Sequence, residues 1–476
     1  MFKLKNNINQ KKNGLEIVEI LFFTFPLSFL IGNLAVSINI LLFIIISLIF
    51  IKKNALSVRF EKSTWLIIIF FLYFFLSTSF QFLYPGFLND QLQKFSIEIN
   101  PILKSFLFIR FILLVLILDT LLYNKIIDLK KFFLSSLICT SFVSFDVILQ
   151  YITGVDLFGY KNFAYFNSGP FGDELIAGSY LKNFSFFSLF FIFLNFKNTN
   201  MKNPLLIFII ASHLTAIIVS GNRMPTILFL FGCFLLVLFI KNIRFSITAG
   251  VVIFIGIFLF LEKKDEALKQ NYAVFFSDIN ISKIFNNKKI VKNNNSLNEN
   301  SNTLKGTNRT AIKGNIAKNV ILLRHSGYYR VFKTSVLIWL EQPLTGFGLK
   351  SFRVKCWDIL NKDNIKNNNR PQDISCGNHP HNYYLEILSE AGIVGFILIF
   401  SFFIFLLRNS FYTLKEIYKT NSDELIVLAP VMISIILEIW PLRSTGSFFT
   451  NSNATFFWLI VGMLLSSNIK NSLHKK

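Results

Sequence analysis

The sequence predicts an all-α integral membrane protein with about 12 transmembrane helices, forming a single polytopic domain over residues 1–476. The first observation is composition: 53% of the residues are hydrophobic and only 16% are charged, whereas soluble domains carry about 25% charged residues. The second is that the apolar residues fall in runs of roughly 20, the length that crosses a bilayer. The third is that lysine and arginine concentrate in every second short loop, as the positive-inside rule requires.

The predicted spans are apolar runs joined mostly by short polar connections. They cover residues 15–33, 34–51, 64–83, 102–123, 130–150, 176–196, 204–220, 225–241, 246–261, 392–408, 424–442 and 453–468. The basic N-terminal segment MFKLKNNINQKKNG is interpreted as an uncleaved cytoplasmic tail. With that tail inside, the lysine-rich short loops also lie inside, so both termini are predicted to be cytoplasmic.

The formal net charge of +22 could indicate nucleic-acid binding. However, Lys and Arg lie at the ends of the apolar runs, where anionic lipid headgroups attract them. The chain has no zinc-type Cys/His spacing and no motif that interleaves basic and aromatic residues. Membrane lipids, and not nucleic acid, are therefore the expected partners.

A large outer loop, residues 262–391, is predicted between the ninth and tenth helices and leads into helix 10. Its Asn/Lys-rich part, 284–320, lacks apolar periodicity and is expected to be disordered. The following segment predicts an amphipathic helix that Arg330 opens and Pro343 ends, with glycine turns after it. Function is expected here because long structured loops of compact proteins usually carry it.

Two cysteines, Cys356 and Cys376, lie in this loop about 20 residues apart. In an oxidising compartment that arrangement predicts a disulfide. Two free thiols remain an alternative, and so does a Cys/His zinc site that would include His379 and His381.

Charged and ionisable residues near a membrane are candidates for function because burying them there is costly. They gather on the predicted outer side: Arg110, Arg223, Arg330, His379, His381, Glu386, Glu390 and Arg443, with Asp146, Asp173, Glu174 and Glu438 nearby. Arg223 in SGNRMP precedes a helix, where backbone N–H groups favour anions, although an arginine there can also be an interfacial anchor. His381 in NHPHNYYLEILSEAG is predicted to open a helix as a general base, with a structural histidine as the alternative.

Other chemistries have no matching pattern. The chain contains no phosphate-binding loop, no dinucleotide fingerprint and no carboxylate pair suited to a divalent metal. No cofactor and no metal are therefore expected.

Several of these segments resemble the signature of the bacterial O-antigen ligase and O-antigen polymerase superfamily. The matching features are His381-Asn382-x-x-Leu385 with Gly392 and Gly395 downstream, Arg223 in SGNR, and Arg330 through Pro343-Leu344-x-Gly346-x-Gly348. The segment NSGPFGDE, residues 167–174, resembles ligase-type members. The Asn-rich insert at 284–320 departs from the compact loop of the family, and this departure affects the expected geometry of the substrate-facing loop.

The resemblance implies a metal-independent glycosyltransferase in a bacterial inner membrane, with its active site on the periplasmic side. The donor would be a glycan on undecaprenyl diphosphate, and the acceptor would be the lipid A–core oligosaccharide. His381 would be the catalytic base, and Arg223 and Arg330 would bind the donor diphosphate. The residues expected to support them are His379, Asn382, Glu386, Glu390, Arg443 and Arg110.

Three alternatives fit parts of the pattern. An O-antigen or exopolysaccharide polymerase and a protein O-oligosaccharyltransferase share the motifs. A transporter of lipid-linked sugars would show internal repeats and polar residues near the bilayer midplane, whereas here no repeat is found and the polar groups gather on one side.

Overall fold

In a computed structural model, the described residues are 15–51, 62–83, 101–163, 166–197, 199–278, 327–366 and 374–466. Most of them are helical. Within these ranges there is no β-strand, and the only β-type pairing is two isolated bridges, Val155–Lys161 and Phe163–Phe166. The all-helical prediction is confirmed for this part of the chain. The predicted disordered stretch, 284–320, lies outside the described residues.

The helices are numbered here in chain order. They are α1 15–23, α2 Phe25–Ile31, α3 Asn33–Ile51, α4 Lys62–Leu83, α5 Pro101–Phe108, α6 Arg110–Tyr123, α7 Leu129–Thr153, α8 Ala177–Asn195, α9 Lys202–Val219, α10 Arg223–Phe239, α11 Arg244–Lys264, α12 Glu266–Asp278, α13 Gly327–Glu341, α14 Phe352–Lys366, α15 Tyr383–Thr420, α16 Asp423–Ile426, α17 Ala429–Glu438 and α18 Asn451–Leu465. Short 3₁₀ turns occupy Gly169–Phe171 and Lys241–Ile243.

The apolar helices support a multi-pass membrane protein. Among the described residues, eight helical stretches are long and apolar enough to cross a membrane, and α10, α17 and α18 are shorter apolar helices. Every predicted apolar run corresponds to helical structure in the described residues. That 12 helices cross the membrane, and that the large loop is periplasmic, remain predictions.

The first two runs form a helical hairpin. The chain breaks at Gly32, whose φ of 129° lies in the region that favours glycine. The rings of Phe22 and Phe25 pack against Phe43 at 6.3 and 5.5 Å between centroids. The segments 15–31 and 33–51 are therefore antiparallel neighbours, with the break at the predicted position.

The tenth predicted span differs from the observed helix. Helix α15 begins at Tyr383, inside the predicted loop, continues to Thr420, and is kinked at Gly392. Hydropathy marks only the apolar part of a helix, whereas the N-terminus of α15 is set by a polar cap. The predicted loop therefore contains α12, α13, α14 and the first turns of α15.

Two hydrophobic clusters organise the molecule. The main one joins the bundle helices and is rich in phenylalanine, as in the packing of Phe448 against Phe457 at 5.4 Å. The second, smaller cluster packs α13 and α14 together with the segment before α15; it contains Val331, Ile338, Phe347, Phe352, Cys356, Ile359 and Ile374. This second cluster forms a separate small layer, which carries several of the predicted site residues.

Candidate active site

The turn that follows α13 locks onto the kink of α15 through main-chain hydrogen bonds. Gly348 N donates to the Glu390 carbonyl at 2.8 Å, and Ile393 N donates to the Pro343 carbonyl at 2.8 Å. At the kink, the Glu390 carbonyl and the Ile393 N–H lie outside the ordinary helical hydrogen-bond pattern. The turn supplies the hydrogen-bond partners that these backbone groups require. The turn after α13 and the kink of α15 are therefore joined by main-chain hydrogen bonds.

Two glycines make this close approach feasible. Gly346 and Gly392 both have φ of 65°. A Cβ on Gly346 would lie 2.5 Å from the Glu390 carbonyl carbon, and a Cβ on Gly392 would overlap the Leu344 carbonyl. The glycines of the family-like motif are thus explained by backbone packing.

Asn382 fixes the start of α15. Its Oδ1 accepts hydrogen bonds from Tyr384 N at 3.0 Å and Leu385 N at 3.2 Å, which is N-capping geometry. Its Nδ2 donates to the carbonyls of Pro441 and Arg443 at 2.9 and 3.0 Å. Asn382 therefore joins the helix start to the segment that follows α17.

A buried charge network lies beneath this joint. The Glu438 carboxylate accepts hydrogen bonds from Lys182 and from Arg443, and Tyr383 Oη donates to it at 3.1 Å. The Arg443 guanidinium also lies 4.3 Å from the centre of the Tyr383 ring. Removing one member of such a network is costly because it leaves an unpaired buried charge. Arg443 is thus engaged within the protein, where it positions the start of α15.

His381 is the residue before the cap, so it precedes the helix that it is predicted to open. Its φ is 58°, a left-handed conformation that is uncommon for residues other than glycine. The helix cannot include it because Asn382 serves as the cap. The His381 ring lies 4.2 Å from the ring of His379 and 5.8 Å, edge to face, from Tyr328.

Both histidines are held neutral. Burial lowers the pKa of His379 to about 3, and the charges of Lys350 and Arg353 add to the effect. Burial also lowers the pKa of His381. A neutral imidazole keeps a nitrogen lone pair that can accept a proton. His379 Nε2 is buried and has no hydrogen-bond partner among the described residues.

Glu386 and Glu390 are buried in the first turns of α15. Glu386 accepts a hydrogen bond from the Ser447 hydroxyl at 2.5 Å and another from Phe448 N at 2.6 Å. Glu390 accepts one from Lys350 N at 2.9 Å. Both carboxylates therefore hold the surrounding loops in place.

Arg330 belongs to the helix that packs beside the histidines. It lies in α13 two residues after Tyr328, which contacts His381. The Ser335 hydroxyl of the same helix donates to the Leu385 carbonyl at 2.9 Å. Arg330 Nε is buried and has no partner among the described residues. The structure thus brings the helix of Arg330 next to the start of α15.

Arg223 is placed by a different set of contacts. It begins α10, as predicted, and its Nε donates to Asn271 Oδ1 at 2.7 Å. Asn271 in turn donates to the Gly221 carbonyl at 3.2 Å. Within the described residues no hydrogen bond or ion pair joins Arg223 to the histidines, but both lie at the same end of the bundle. Helix α8 links the two regions. Its Gly178 faces Asn222, next to Arg223, and its Lys182 bonds to Glu438 in the buried charge network at the start of α15.

The ligase-like segment 167–174 packs against the turn that precedes Arg223. Asn167 Nδ2 donates to the Val219 carbonyl at 2.6 Å, just before that turn. Asn222 Nδ2 donates to the Leu175 carbonyl at 3.3 Å, just after the segment. The two motifs therefore support each other.

Arg110 lies in other surroundings. Its Nη2 donates to Asn451 Oδ1 at 2.6 Å, and its guanidinium lies 5.0 Å from the ring of Phe111. These contacts join α6 to α18. In the described part of the chain, neither of these contacts joins Arg110 to the histidines.

Cys356 and Cys376 are free thiols in this structure, so the predicted disulfide is not formed here. They are nevertheless neighbours, because a hydrogen bond between the two thiols lowers the pKa of Cys356 and raises that of Cys376. The described residues contain no group of three or more His, Cys, Asp or Glu side chains that could hold a metal ion.

Two basic residues near the histidines were missed by the sequence-based prediction. Lys350 and Arg353 follow the glycine turn, and their charges act on His379. Lys350 has φ of 64°. It directly follows the turn that is hydrogen-bonded to the kink of α15. The sequence pattern that could have identified them is a pair of basic residues soon after a Gly-Phe-Gly turn. Only the tertiary packing, however, brings these residues to the histidines.

One comparison with known proteins found a match to a family model. Residues 206–400 match the family model described as O-antigen ligase. The matched segment includes Arg223, Arg330, His379 and His381. No significant match to a curated protein was found. Residues 206–400 are therefore similar to the O-antigen ligase family over about two fifths of the chain.

Proposed function

We propose that this protein is an O-antigen ligase that transfers a glycan from undecaprenyl diphosphate to the lipid A–core oligosaccharide. The transfer takes place at the periplasmic face of a bacterial inner membrane. The observation that carries the proposal is His381, whose pKa is lowered by burial. It lies immediately before the cap of α15 and in ring contact with His379, on which the charges of Lys350 and Arg353 act. That combination suits a reaction in which a hydroxyl loses a proton while a diphosphate leaves.

In the proposed step, the acceptor hydroxyl oxygen attacks the anomeric carbon of the donor sugar. The bond from that carbon to the diphosphate oxygen breaks, and undecaprenyl diphosphate leaves with the electron pair. The hydroxyl proton passes to the neutral imidazole of His381. A positioned base of this kind contributes a rate factor of about 10²–10⁴.

Arg223 and Arg330 are the proposed ligands of the donor diphosphate. The guanidinium group stays charged and presents paired N–H donors that match phosphate oxygens. Charge develops on the diphosphate as the glycosidic bond breaks, so fixed cations stabilise the transition state more than the ground state. No metal ion takes part in the proposed step.

The backbone at His381 supports a functional role for this residue. A left-handed conformation costs a non-glycine residue about 1–2 kcal/mol, and His381 adopts it with φ of 58°. Such strained residues concentrate at functional sites, where the surrounding structure maintains them. Here the surrounding structure is the Asn382 cap and the Tyr328 contact.

The proposed function is tested by deleting the gene and complementing it with the wild-type chain. Loss of a ligase leaves the lipid A–core bare and causes lipid-linked glycan to accumulate, and complementation reverses both effects. A core capped with a single repeat unit would instead identify the protein as a polymerase. Unchanged lipopolysaccharide with normal lipid-linked glycan would refute the proposal, provided that the protein is normally expressed.

A further inference from the structure

Lys350 and Arg353 lie beside the histidine pair, and the proposed step assigns them no role. The position of Lys350 is set by its own N–H, which donates to Glu390 Oε2 at 2.9 Å. Arg353 is at the start of α14. The Cys356 thiol lies 3.7 Å from the Arg353 carbonyl and 4.0 Å from the Gly377 carbonyl. The start of α14 is therefore packed against the segment that carries His379.

Neither basic side chain lies within ion-pair distance of a carboxylate in the described residues. No ion pair is formed by Lys350 or Arg353 there, whereas Lys355 on the same helix pairs with Asp358 at 3.4 Å. Arg353 Nε is buried and has no hydrogen-bond partner among the described residues. The charges of Lys350 and Arg353 reach the buried carboxyl groups of Glu386 and Glu390, which accept hydrogen bonds from main-chain N–H groups and a serine hydroxyl.

A third cation adds to the local positive charge. Lys104 is exposed on α5, and the charges of Arg353 and Lys350 reach it. Helix α5 packs beside α4 through Phe106 and Phe75 at 6.0 Å. Helix α4 binds the glycine turn, because Leu349 N donates to the Thr78 hydroxyl at 3.2 Å. Three like charges near each other repel, and a bound anion would relieve the repulsion.

We propose that Lys350 and Arg353, with Lys104 at the edge, form an anion site that binds a phosphate group of one of the two substrates next to His379 and His381. The proposal rests on the proposed function, since the substrates are those of the glycan transfer. An arginine fork and a flexible ammonium group together fit phosphate oxygens. The phosphate belongs either to the donor diphosphate or to a phosphorylated acceptor.

The first experiment measures anion binding directly on the detergent-solubilised full chain. The variants are Lys350→Asn, which suits a left-handed backbone, and Arg353→Gln; the control is Lys161→Gln, which removes an exposed charge elsewhere. Thermal stabilisation is titrated with inorganic diphosphate and inorganic phosphate. We expect the wild-type protein and the control to bind alike and each variant to bind about tenfold more weakly. Equal binding by all four proteins would overturn the proposal.

The second experiment identifies the source of the phosphate through transfer kinetics. If the donor supplies it, both variants raise the KM for the lipid-linked glycan with any acceptor. If the acceptor supplies it, the variants raise the KM for phosphorylated acceptor but not for dephosphorylated acceptor. Unchanged KM values for both substrates would overturn the proposal. A wild-type protein that transfers no glycan, but binds diphosphate more tightly than the variants, would refute the proposed function alone.

Discussion

Replacing Gly392 with alanine should disrupt the lock between α15 and the glycine turn. Gly392 has φ of 65° and ψ of −172°, a region populated almost only by glycine. A Cβ at this position would overlap the Leu344 carbonyl and lie 2.6 Å from Gly346 N. Because both groups belong to the backbone, no side-chain rotation can relieve the overlap.

The expected destabilisation follows from two contributions. The unfavourable backbone conformation costs about 1–3 kcal/mol, and forcing an extra carbon into a packed region costs about 1–3 kcal/mol more. The sum is about 2–6 kcal/mol for Gly392→Ala. The matched control is Gly256→Ala in α11, where a Cβ would meet nothing within 4 Å. That change should be neutral or stabilise the helix by about 0.5–1 kcal/mol.

The assay compares the heat stability of the two detergent-solubilised variants and their glycan transfer at a temperature where both are folded. Gly392→Ala should unfold at a lower temperature and transfer poorly, because the kink positions the start of α15. Gly256→Ala should match the wild-type protein in both measurements. If Gly392→Ala is as stable and active as Gly256→Ala, the contact between the glycine turn and the kink does not position the start of α15.

Three further outcomes are expected. Cys356 and Cys376 should form a disulfide in protein isolated from an oxidising compartment. Alkylation followed by mass spectrometry, with and without reductant, measures this, and two free thiols would contradict the prediction. Because burial lowers the pKa of His381, its imidazole stays neutral as the pH falls through about 6.5, so the acid limb of the kcat profile should lie below that pH. A midpoint above pH 7 would argue against His381 as the base. Transfer should persist in EDTA because arginine side chains are proposed to stabilise the leaving diphosphate, and activity lost to EDTA but restored by magnesium would show a metal requirement.

The helices could be predicted from the sequence, but their ends could not be. Runs of about 20 apolar residues follow from bilayer thickness, and each predicted run contains a helix in the described residues. Helix α15 nevertheless begins at Tyr383, in a polar stretch, because Asn382 caps it. The same cap excludes His381 from the helix, so the prediction that His381 opens the helix was wrong.

The roles of the arginines could not be separated from sequence alone. Arg223 and Arg443 both lie near helix ends, yet Arg443 is 4% exposed and bonded to Glu438, whereas Arg223 is only half-buried. The distinction depends on Lys182 and Tyr383, which are distant in sequence from Glu438. Lys350 and Arg353 were missed for the same reason, since only the packing of α14 brings them to His379.

The most direct test of the central claim is the transfer rate of His381→Asn with purified lipid-linked donor and core acceptor. Asparagine tolerates the left-handed backbone of this position, so the variant removes the imidazole and keeps the local conformation. The account predicts a loss of at least about 100-fold in kcat, with donor KM nearly unchanged and a normally folded protein. A His381→Asn variant that turns over at close to the wild-type rate would contradict the account.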